Sequence, residues 1–415
     1  MPVLAGLMKK GSFGRLSTIR PTISQIIWTS IATGKSPAKH GIDALLKKTD
    51  GGRGERLFSG EDRRTKALWN IFSDYGLTVN SIGWWKTWPA EEVTGVMVPQ
   101  LNLLYSFDAS GLGIFQPDRA RSLQDLVQPA AFLDKVDSTA RDVDASVGSI
   151  AANIFGRFRH PQSEFGKYAL PRMRWILAMD EMHYRIARDV LSERGPGDLT
   201  MVYFRGADVL AHAFWRFTYP QGFADQPTKD EIENYAGIIP GYYRHMDSLL
   251  GSLIEAAGAG ATVIVVSDHG MGPSNVDASF TPGEGRKPAS KSGDHEDAPP
   301  GIFIAAGPYI GTGVPGGREA GGLPAALDYA TLPKVGSVYD LAPTILALKG
   351  LPVGKDMDGK VLGAILVPSF LTAHPVATVA THDTGGWPAG RAEYHLSDEQ
   401  VKERIEELRS IGYIK

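Results

Sequence analysis

Five acidic and imidazole side chains in three separate segments carry the strongest chemical signal in this sequence. They are Asp208 and His212, the adjacent pair Asp268-His269, and His295. We expect each segment at a strand end or in a loop, where a parallel sheet could bring all three to one site. Imidazole and carboxylate ligands suit Zn²⁺ or Mn²⁺, and two such ions side by side are the usual apparatus for displacement at phosphorus. We therefore expect two divalent ions, zinc in the first place or else manganese, in a phosphoryl-transfer hydrolase.

Each segment has a simpler reading when it is taken alone. Asp208 and His212 stand four residues apart and would share one face of a helix, where such pairs often only exchange surface hydrogen bonds. His295 alone would be a loop histidine. Asp268-His269 is more specific, because it follows residues 261–267, a β-branched and small apolar run typical of a fully buried parallel strand. Ligands gather beyond the carboxyl ends of such strands, so the segments together favour a metal site.

Ser24 is the candidate nucleophile. It precedes residues 25–32, a short helical stretch that Thr33-Gly34 closes, so it lies near a helix N-terminus. A serine there can simply cap the helix, and on sequence grounds that role is at least as well supported as catalysis. A divalent ion beside the hydroxyl would change the balance, since coordination lowers the hydroxyl pKa without a general base.

The elements that must position these residues follow an α/β rhythm. Residues 70–85 show a helical pattern, a glycine stop and an apolar strand, and turn-then-strand patterns return at 197–204, 261–267 and 302–306. This repetition predicts an α/β fold with a mostly parallel central sheet and helices on both faces. Residues 92–196 interrupt the rhythm, which indicates a cap insertion within a single catalytic domain that spans 1–415.

Composition excludes several classes of protein. The 415 residues are 43% hydrophobic, which is enough for a large core. The net charge of −3 argues against the basic surface that binds a nucleic-acid polymer. No cysteine is present, so disulfides and thiolate metal sites are excluded. No run of about twenty apolar residues predicts a membrane span. The expected partner is a small phosphate ester, while the oligomeric state stays open.

The order of these motifs resembles the type I phosphodiesterase/nucleotide pyrophosphatase branch of the alkaline phosphatase superfamily, over nearly the whole chain. The matching segments run Pro21 to Ile42, Gly83 to Glu91, Asp208 to His212, Ser267 to Gly272, Gly293 to His295, Asp340 to Leu348 and Leu408 to Ile414. The resemblance implies an alkaline-phosphatase-like fold and a phosphodiesterase that forms a covalent phosphoseryl intermediate on Ser24. It also implies that Asp208, His212 and His295 hold one zinc, and that Ser24, Asp268 and His269 hold the other.

The chain departs from the family pattern at two points. Ile27 stands where the nucleotide pyrophosphatases place an asparagine that binds a phosphoryl oxygen. The family also begins with a central apolar strand ending in Asp-Gly, whose aspartate completes the second metal site, whereas this chain has no acidic residue before Asp43. We therefore expect the reading frame upstream of Met1 to encode that strand. The chain as it stands shows no signal peptide, which favours the cytoplasm, but an upstream leader would instead place the protein in the periplasm or outside the cell.

Three alternatives remain open. A sulfatase-like enzyme on the same fold would need a Cys or Ser followed by x-Pro-x-Arg, and the residues from Ser24 to Trp28 lack both the proline and the arginine. A phosphonate hydrolase would use the same metal ligands. A metal-binding protein that has lost catalysis would explain Ile27 and the absent carboxylate. The sequence does not distinguish a nucleotide, a lipid head group or a phosphonate as the substrate.

Overall fold

Helices and strands alternate along most of the chain. The computed structural model describes residues 1–49, 54–100, 107–108, 111–112, 126–159, 161, 163–223, 226–274, 292–312 and 328–385. The motif match at Leu408 to Ile414 and much of the first half of the expected cap lie outside the described residues.

The described strands are short, and all of them have six residues or fewer. They are β1 (Ser12–Ser17), β2 (Leu46–Thr49), β3 (Gly54–Leu57), β4 (Val79–Ile82), β5 (Val96–Val98), β6 (Phe107–Asp108), β7 (Gly111–Leu112), β8 (Leu199–Val202), β9 (Val263–Val266), β10 (Gly272–Pro273), β11 (Gly293–Asp294), β12 (Gly301–Ala306), β13 (Lys334–Ser337), β14 (Val353–Gly354) and β15 (Thr378–Val379). The helices are α1 (Pro2–Lys10), α2 (Ser24–Thr33), α3 (Pro37–His40), α4 (Leu68–Asp74), α5 (Leu133–Phe155), α6 (Glu164–Arg194), α7 (Gly206–Thr218), α8 (Lys229–Tyr235), α9 (Ile238–Ala257), α10 (Leu341–Leu348) and α11 (Pro368–Ala373).

Two sheets form the framework among the described residues. The larger has the strand order β13-β1-β12-β9, and the smaller has the order β5-β4-β8. β4 pairs in parallel with both of its neighbours, and β1 pairs in parallel with β13. β12 is antiparallel to both β1 and β9. The predicted α/β class with a mostly parallel sheet is confirmed, and β12 is the strand that runs against the others.

Both sheets bury apolar side chains on each face, as their alternating residues require. Val96 and Val98 of β5 join an apolar cluster with α5, α6, α7 and α9, while Met97 between them joins the cluster around α2, α4 and α10. In β12, Phe303 likewise joins the α2 cluster, and Ile304 packs towards α1. Helices therefore cover both faces of the framework, as the sequence predicts.

The strand before Asp268-His269 differs from its prediction. The apolar run at 261–267 predicts a fully buried strand in a parallel pair, and that expectation is wrong on both points. β9 pairs antiparallel with β12, and all four of its residues are only half-buried. The physical reason is its place in the sheet: β9 ends the strand order and is hydrogen-bonded to β12 alone among the described strands.

The described helices give no candidate for a membrane span, because none of them combines the necessary length with sufficient hydropathy.

One close approach ties β12 to the segment that carries Asp268. A Cβ placed on Gly301 would overlap the carbonyl oxygen of Ser267, the residue before Asp268. We expect Gly301→Ala to lower the free energy of unfolding by about 1–3 kcal/mol, because the backbones must move apart. Urea unfolding measures this change.

Gly148→Ala is the matched control. Gly148 lies in the middle of α5, and a Cβ there meets no heavy atom within 4 Å. Alanine should stabilise this helix by up to about 1 kcal/mol, since it loses less backbone entropy than glycine on folding. Equal stability of Gly301→Ala and the wild type would contradict the close packing of β12 against Ser267.

Candidate metal centre

Ser24 is the first residue of α2. The residue before the helix is Ile23 in an extended conformation, so the alternative in which Ser24 is the N-cap is not what the structure shows. The helix ends at Gly34 in the left-handed conformation, as the sequence predicts. Every residue of α2 is buried, and Ser24 is 2% exposed. A hydroxyl at this place points from a rigid, buried helix rather than from a surface loop.

Asp208 and His212 lie on α7, whereas strand ends or loops were expected for all of the metal-binding segments. Asp208 is in the first turn and His212 follows one turn later, so both side chains leave the same face of the helix. The distance from His212 Nε2 to Asp208 Oδ1 is 3.5 Å. The spacing of four residues therefore brings the pair together as predicted, on a different type of element.

Asp268 and His269 follow the carboxyl end of β9, as expected. His269 Nε2 lies 3.4 Å from Asp268 Oδ2 and 3.2 Å from Ser24 Oγ. The Ser24 hydroxyl also lies near enough to the Asp268 carboxylate to lower its pKa, although burial raises that pKa more. The candidate nucleophile and this pair therefore form one contiguous group, although 244 residues or more separate them in the chain.

His295 comes from the two-stranded sheet of β10 and β11, immediately after β11. Its ring lies 4.1 Å from the ring of His269 and 4.9 Å from the ring of His212, measured between centroids. His295 Nε2 is 3.9 Å from Asp208 Oδ1. The loop histidine of the sequence is thus part of the same cluster.

All three imidazoles direct Nε2 towards one carboxylate oxygen. The distances to Asp208 Oδ1 are 3.5 Å from His212, 4.0 Å from His269 and 3.9 Å from His295. One ligand atom each of Asp208, His269 and His295 lies within 4.8 Å of the others. Nitrogen and oxygen donors at these separations can close around a divalent cation with only small movements of side chains.

The partners of the Nδ1 atoms determine which nitrogen can bind a metal. His212 Nδ1 is 2.8 Å from the Gly293 carbonyl oxygen, and His269 Nδ1 is 2.8 Å from the Gly270 carbonyl oxygen. Since a carbonyl only accepts hydrogen bonds, we assign the ring proton to Nδ1 in both residues. Nε2 then carries the lone pair that a metal ligand needs, and the donor set fits zinc or manganese.

Burial and neighbouring charges shift the pKa values of Asp268 and His269, and both shifts reflect negative charge that a bound cation would neutralise. Burial raises the pKa of Asp268, and the nearby charge of Asp208 raises it further. Burial alone would lower the pKa of His269, but the carboxylates of Asp268 and Asp208 outweigh it and raise that pKa. The carboxylates of buried Asp268 and half-buried Asp208 repel each other, and a bound cation would offset that repulsion.

Some groups at the site carry no clear signal in the sequence. Thr22 donates its hydroxyl to the His295 carbonyl oxygen, and Thr22 Oγ1 lies 3.5 Å from His295 Nδ1. Tyr243 on α9 is another: its side chain is 44% exposed, yet partial desolvation of the phenol and the charges of Tyr219 and Asp208 raise its pKa. Only the position of Thr22 inside the Pro21 to Ile42 motif could have drawn attention to it.

One known protein family matches more than half of this sequence. The sequence profile of the type I phosphodiesterase/nucleotide pyrophosphatase family matches residues 1–284. No protein of curated function matches the sequence significantly.

Among solved structures, the alkaline phosphatase PafA superposes with a TM-score of 0.53 at 11% sequence identity, covering 87% of this chain and 93% of its own. This likeness shows an alkaline-phosphatase-like fold. Human ectonucleotide pyrophosphatase/phosphodiesterase 5 is also similar, with a TM-score of 0.45 and 13% identity over 88% of this chain and 94% of its own. Phosphonoacetate hydrolase from Sinorhizobium meliloti 1021 gives a TM-score of 0.32 and 18% identity over 66% of this chain and 51% of its own.

Metal binding should stabilise the fold, because the cluster joins segments that are far apart in the chain. We expect Zn²⁺ or Mn²⁺, added back to the metal-free protein, to raise its melting temperature. At a metal concentration one hundred times Kd, the free energy of unfolding should increase by about 2.7 kcal/mol. Ca²⁺, which prefers oxygen ligands, should stabilise far less. Differential scanning fluorimetry with and without chelator measures the shift.

Two histidine variants sharpen this test. His212→Ala should reduce the metal-induced shift, because it removes one of the converging Nε2 atoms. His382→Ala removes a histidine of similar burial, 7% exposed, that bonds the Pro352 carbonyl instead. It should lower the melting temperature while preserving the metal-induced shift. Identical melting curves of the chelated and the metal-supplied wild type would rule out a metal site here.

Proposed function

The chain belongs to the type I phosphodiesterase/nucleotide pyrophosphatase family, and on that premise we propose that it is a metal-dependent phosphodiesterase that forms a phosphoseryl intermediate on Ser24. One observation carries the proposal: the buried Ser24 hydroxyl lies 3.2 Å from His269 Nε2, within a cluster whose imidazoles converge on Asp208. A hydroxyl, three imidazoles and two carboxylates in contact form the donor set that displacement at phosphorus requires.

Two divalent ions would be held by two sets of residues. Zinc is the preferred assignment and manganese the second. Asp208, His212 and His295 form the first set; Ser24, Asp268 and His269 form the second. The contact of 4.0 Å between His269 Nε2 and Asp208 Oδ1 supports adjacent ions rather than separate sites. When bound, such ions lower the pKa of a coordinated hydroxyl and neutralise charge on phosphoryl oxygens.

The chemistry of the chain itself begins with Ser24. Its hydroxyl loses a proton to solvent, and Oγ then forms a bond to phosphorus while the bond from phosphorus to the leaving oxygen breaks. That oxygen takes a proton from solvent and departs as the alcohol. Water next attacks the phosphoseryl ester, releases the phosphorylated product and restores the hydroxyl. Because α2 is buried along its whole length, the attacking oxygen keeps a fixed direction through both steps.

The first turn of α2 supplies donors for the phosphoryl oxygens. The amides of Ile26 and Ile27 both bond the carbonyl of Ile23, so the amides of Ser24 and Gln25 precede the first bonds of the helix. Backbone amides at a helix N-terminus attract anions. They can take over the contact that an asparagine would make at the position of Ile27.

We also propose that residues 92–196 form a cap insertion within a single catalytic domain that spans residues 1–415. α5 and α6 belong to this segment and join one apolar cluster with α7, the helix of Asp208. A cap in this place would border the site where the leaving alcohol departs. It would then select among small phosphate esters.

The decisive substitution is Ser24→Ala. Without its nucleophile the protein should lose hydrolysis of bis(p-nitrophenyl) phosphate by a factor of at least about 10³, while retaining most of its bound metal. Steady-state kinetics and elemental analysis measure the two quantities on the same preparation. A comparison with p-nitrophenyl phosphate shows whether the enzyme prefers diesters to monoesters.

Ser30→Ala is the matched control on the same helix. Ser30 Oγ lies 2.9 Å from His40 Nε2, but His40 Nδ1 accepts the amide of Ile42 and burial lowers the pKa of His40 to about 3. This serine–histidine pair is therefore neutral and structural, and its loss should cost about 1–3 kcal/mol of stability without loss of turnover. Unchanged turnover in Ser24→Ala would refute the proposed nucleophile. A wild type that binds metal without hydrolysing either ester would favour the degenerate metal-binding protein.

A further inference from the structure

A buried carboxylate on another helix holds the start of the helix that carries Asp208 and His212. Asp180 of α6 is 1% exposed. Its Oδ1 accepts the amide of Arg205 at 2.9 Å, and its Oδ2 accepts the amide of Gly206 at 2.7 Å. These are the amides at the N-terminus of α7, which lack acceptors within their own helix.

Two further residues complete this contact. Tyr242 of α9 donates its hydroxyl to Asp180 Oδ2, so the carboxylate links three helices. Gly206 allows the close approach, because a Cβ there would lie 2.6 Å from Asp180 Oδ2. The packing is thus specific to a carboxylate at 180 and a glycine at 206.

A second side chain of α6 contacts the segment that connects β8 to α7. His183 lies three residues after Asp180, on the same face of the helix, and its Nδ1 is 3.0 Å from the carbonyl oxygen of Tyr203. Asp180 and His183 therefore hold residues 203–206, the whole connection from β8 to α7. Asp208 follows that connection by two residues.

We propose that Asp180 is a positioning residue for the metal centre, which it serves by fixing the first turn of α7 and with it the direction of Asp208 and His212. The inference rests on the proposed metal-dependent function. Its physical basis is the precision that metal binding needs. Metal ligands must be held to within about 0.5 Å of their positions, and hydrogen bonds from neighbouring residues provide that precision. An amide pair captured in two directions by one carboxylate restrains both the translation and the rotation of a helix end.

The chain offers a matched control for this role. Asp247 of α9 is 2% exposed and accepts the amides of Val3 and Leu4, at 3.0 and 2.8 Å, at the start of α1. Asp180 and Asp247 thus make the same type of contact: each is a buried aspartate that captures two consecutive amides at the start of another helix. Only the helix held by Asp180 carries candidate metal ligands.

The test compares Asp180→Ala with Asp247→Ala in Zn²⁺ binding to the metal-free full chain, measured by isothermal titration calorimetry. Asp180→Ala should weaken Zn²⁺ binding by about 10- to 100-fold, the range typical of lost supporting contacts. Asp247→Ala should leave the affinity unchanged, although both variants should melt at lower temperature than the wild type without metal. Equal Zn²⁺ affinity of Asp180→Ala and the wild type, or an equal loss in both variants, would overturn the proposal.

Tyr242→Phe is a milder variant that tests the same contact if the Asp180→Ala protein does not fold. It removes one hydroxyl from the Asp180 carboxylate and keeps the ring in its buried site, so the fold should survive. We expect Zn²⁺ binding to weaken several-fold, and an unchanged affinity would overturn the role of this contact. A wild-type chain that binds neither Zn²⁺ nor Mn²⁺ would instead refute the metal-dependent function itself, so the two failures give different results.

Discussion

Three imidazole rings present Nε2 to one carboxylate oxygen, 3.5, 4.0 and 3.9 Å from Asp208 Oδ1, and backbone contacts hold them in that arrangement. Neutral imidazole can carry its proton on either nitrogen, so each ring needs a partner that selects one form. Here backbone carbonyls serve that purpose for His212 and His269. The two-stranded sheet of β10 and β11 brings Gly293 to His212 and places His295 beside both. The arrangement of the cluster is therefore a property of the backbone as much as of the ligands.

The sequence identified side chains that the fold brings into one cluster because most of them belong to a local pattern. Asp208 and His212 have helical spacing, Asp268-His269 ends an apolar run, and Ser24 begins a short helix that a glycine ends. Such patterns require only neighbouring residues. The sequence could equally predict the α/β class, since the repeated turn-then-strand rhythm is also local.

The remaining features depend on contacts between distant residues. The direction of β12 against β9 follows from the path of the intervening chain, and no residue within either strand encodes it. Nothing around Asp180 marks it as a partner of Gly206, because the contact exists only after α6 packs on α7. The second serine–histidine contact, between Ser30 and His40, shows that such a pair does not by itself indicate a catalytic site. Residue types that could do chemistry can also meet for structural reasons, and only their hydrogen-bond partners distinguish the two cases.

The length of α6 has a consequence for how this enzyme can change during evolution. The helix has 31 residues and spans about 46 Å. Pro171 interrupts its hydrogen bonds near the start, but residues 172–194 contain no proline or glycine, so a tilt of this part would move Asp180 and His183 with it. Mutations that reshape the proposed cap for another ester would then disturb the metal centre unless they leave the axis of α6 in place. Adaptation to new substrates should therefore favour α5 and the loops, and lineages with altered specificity should retain the glycine that lets α7 approach α6.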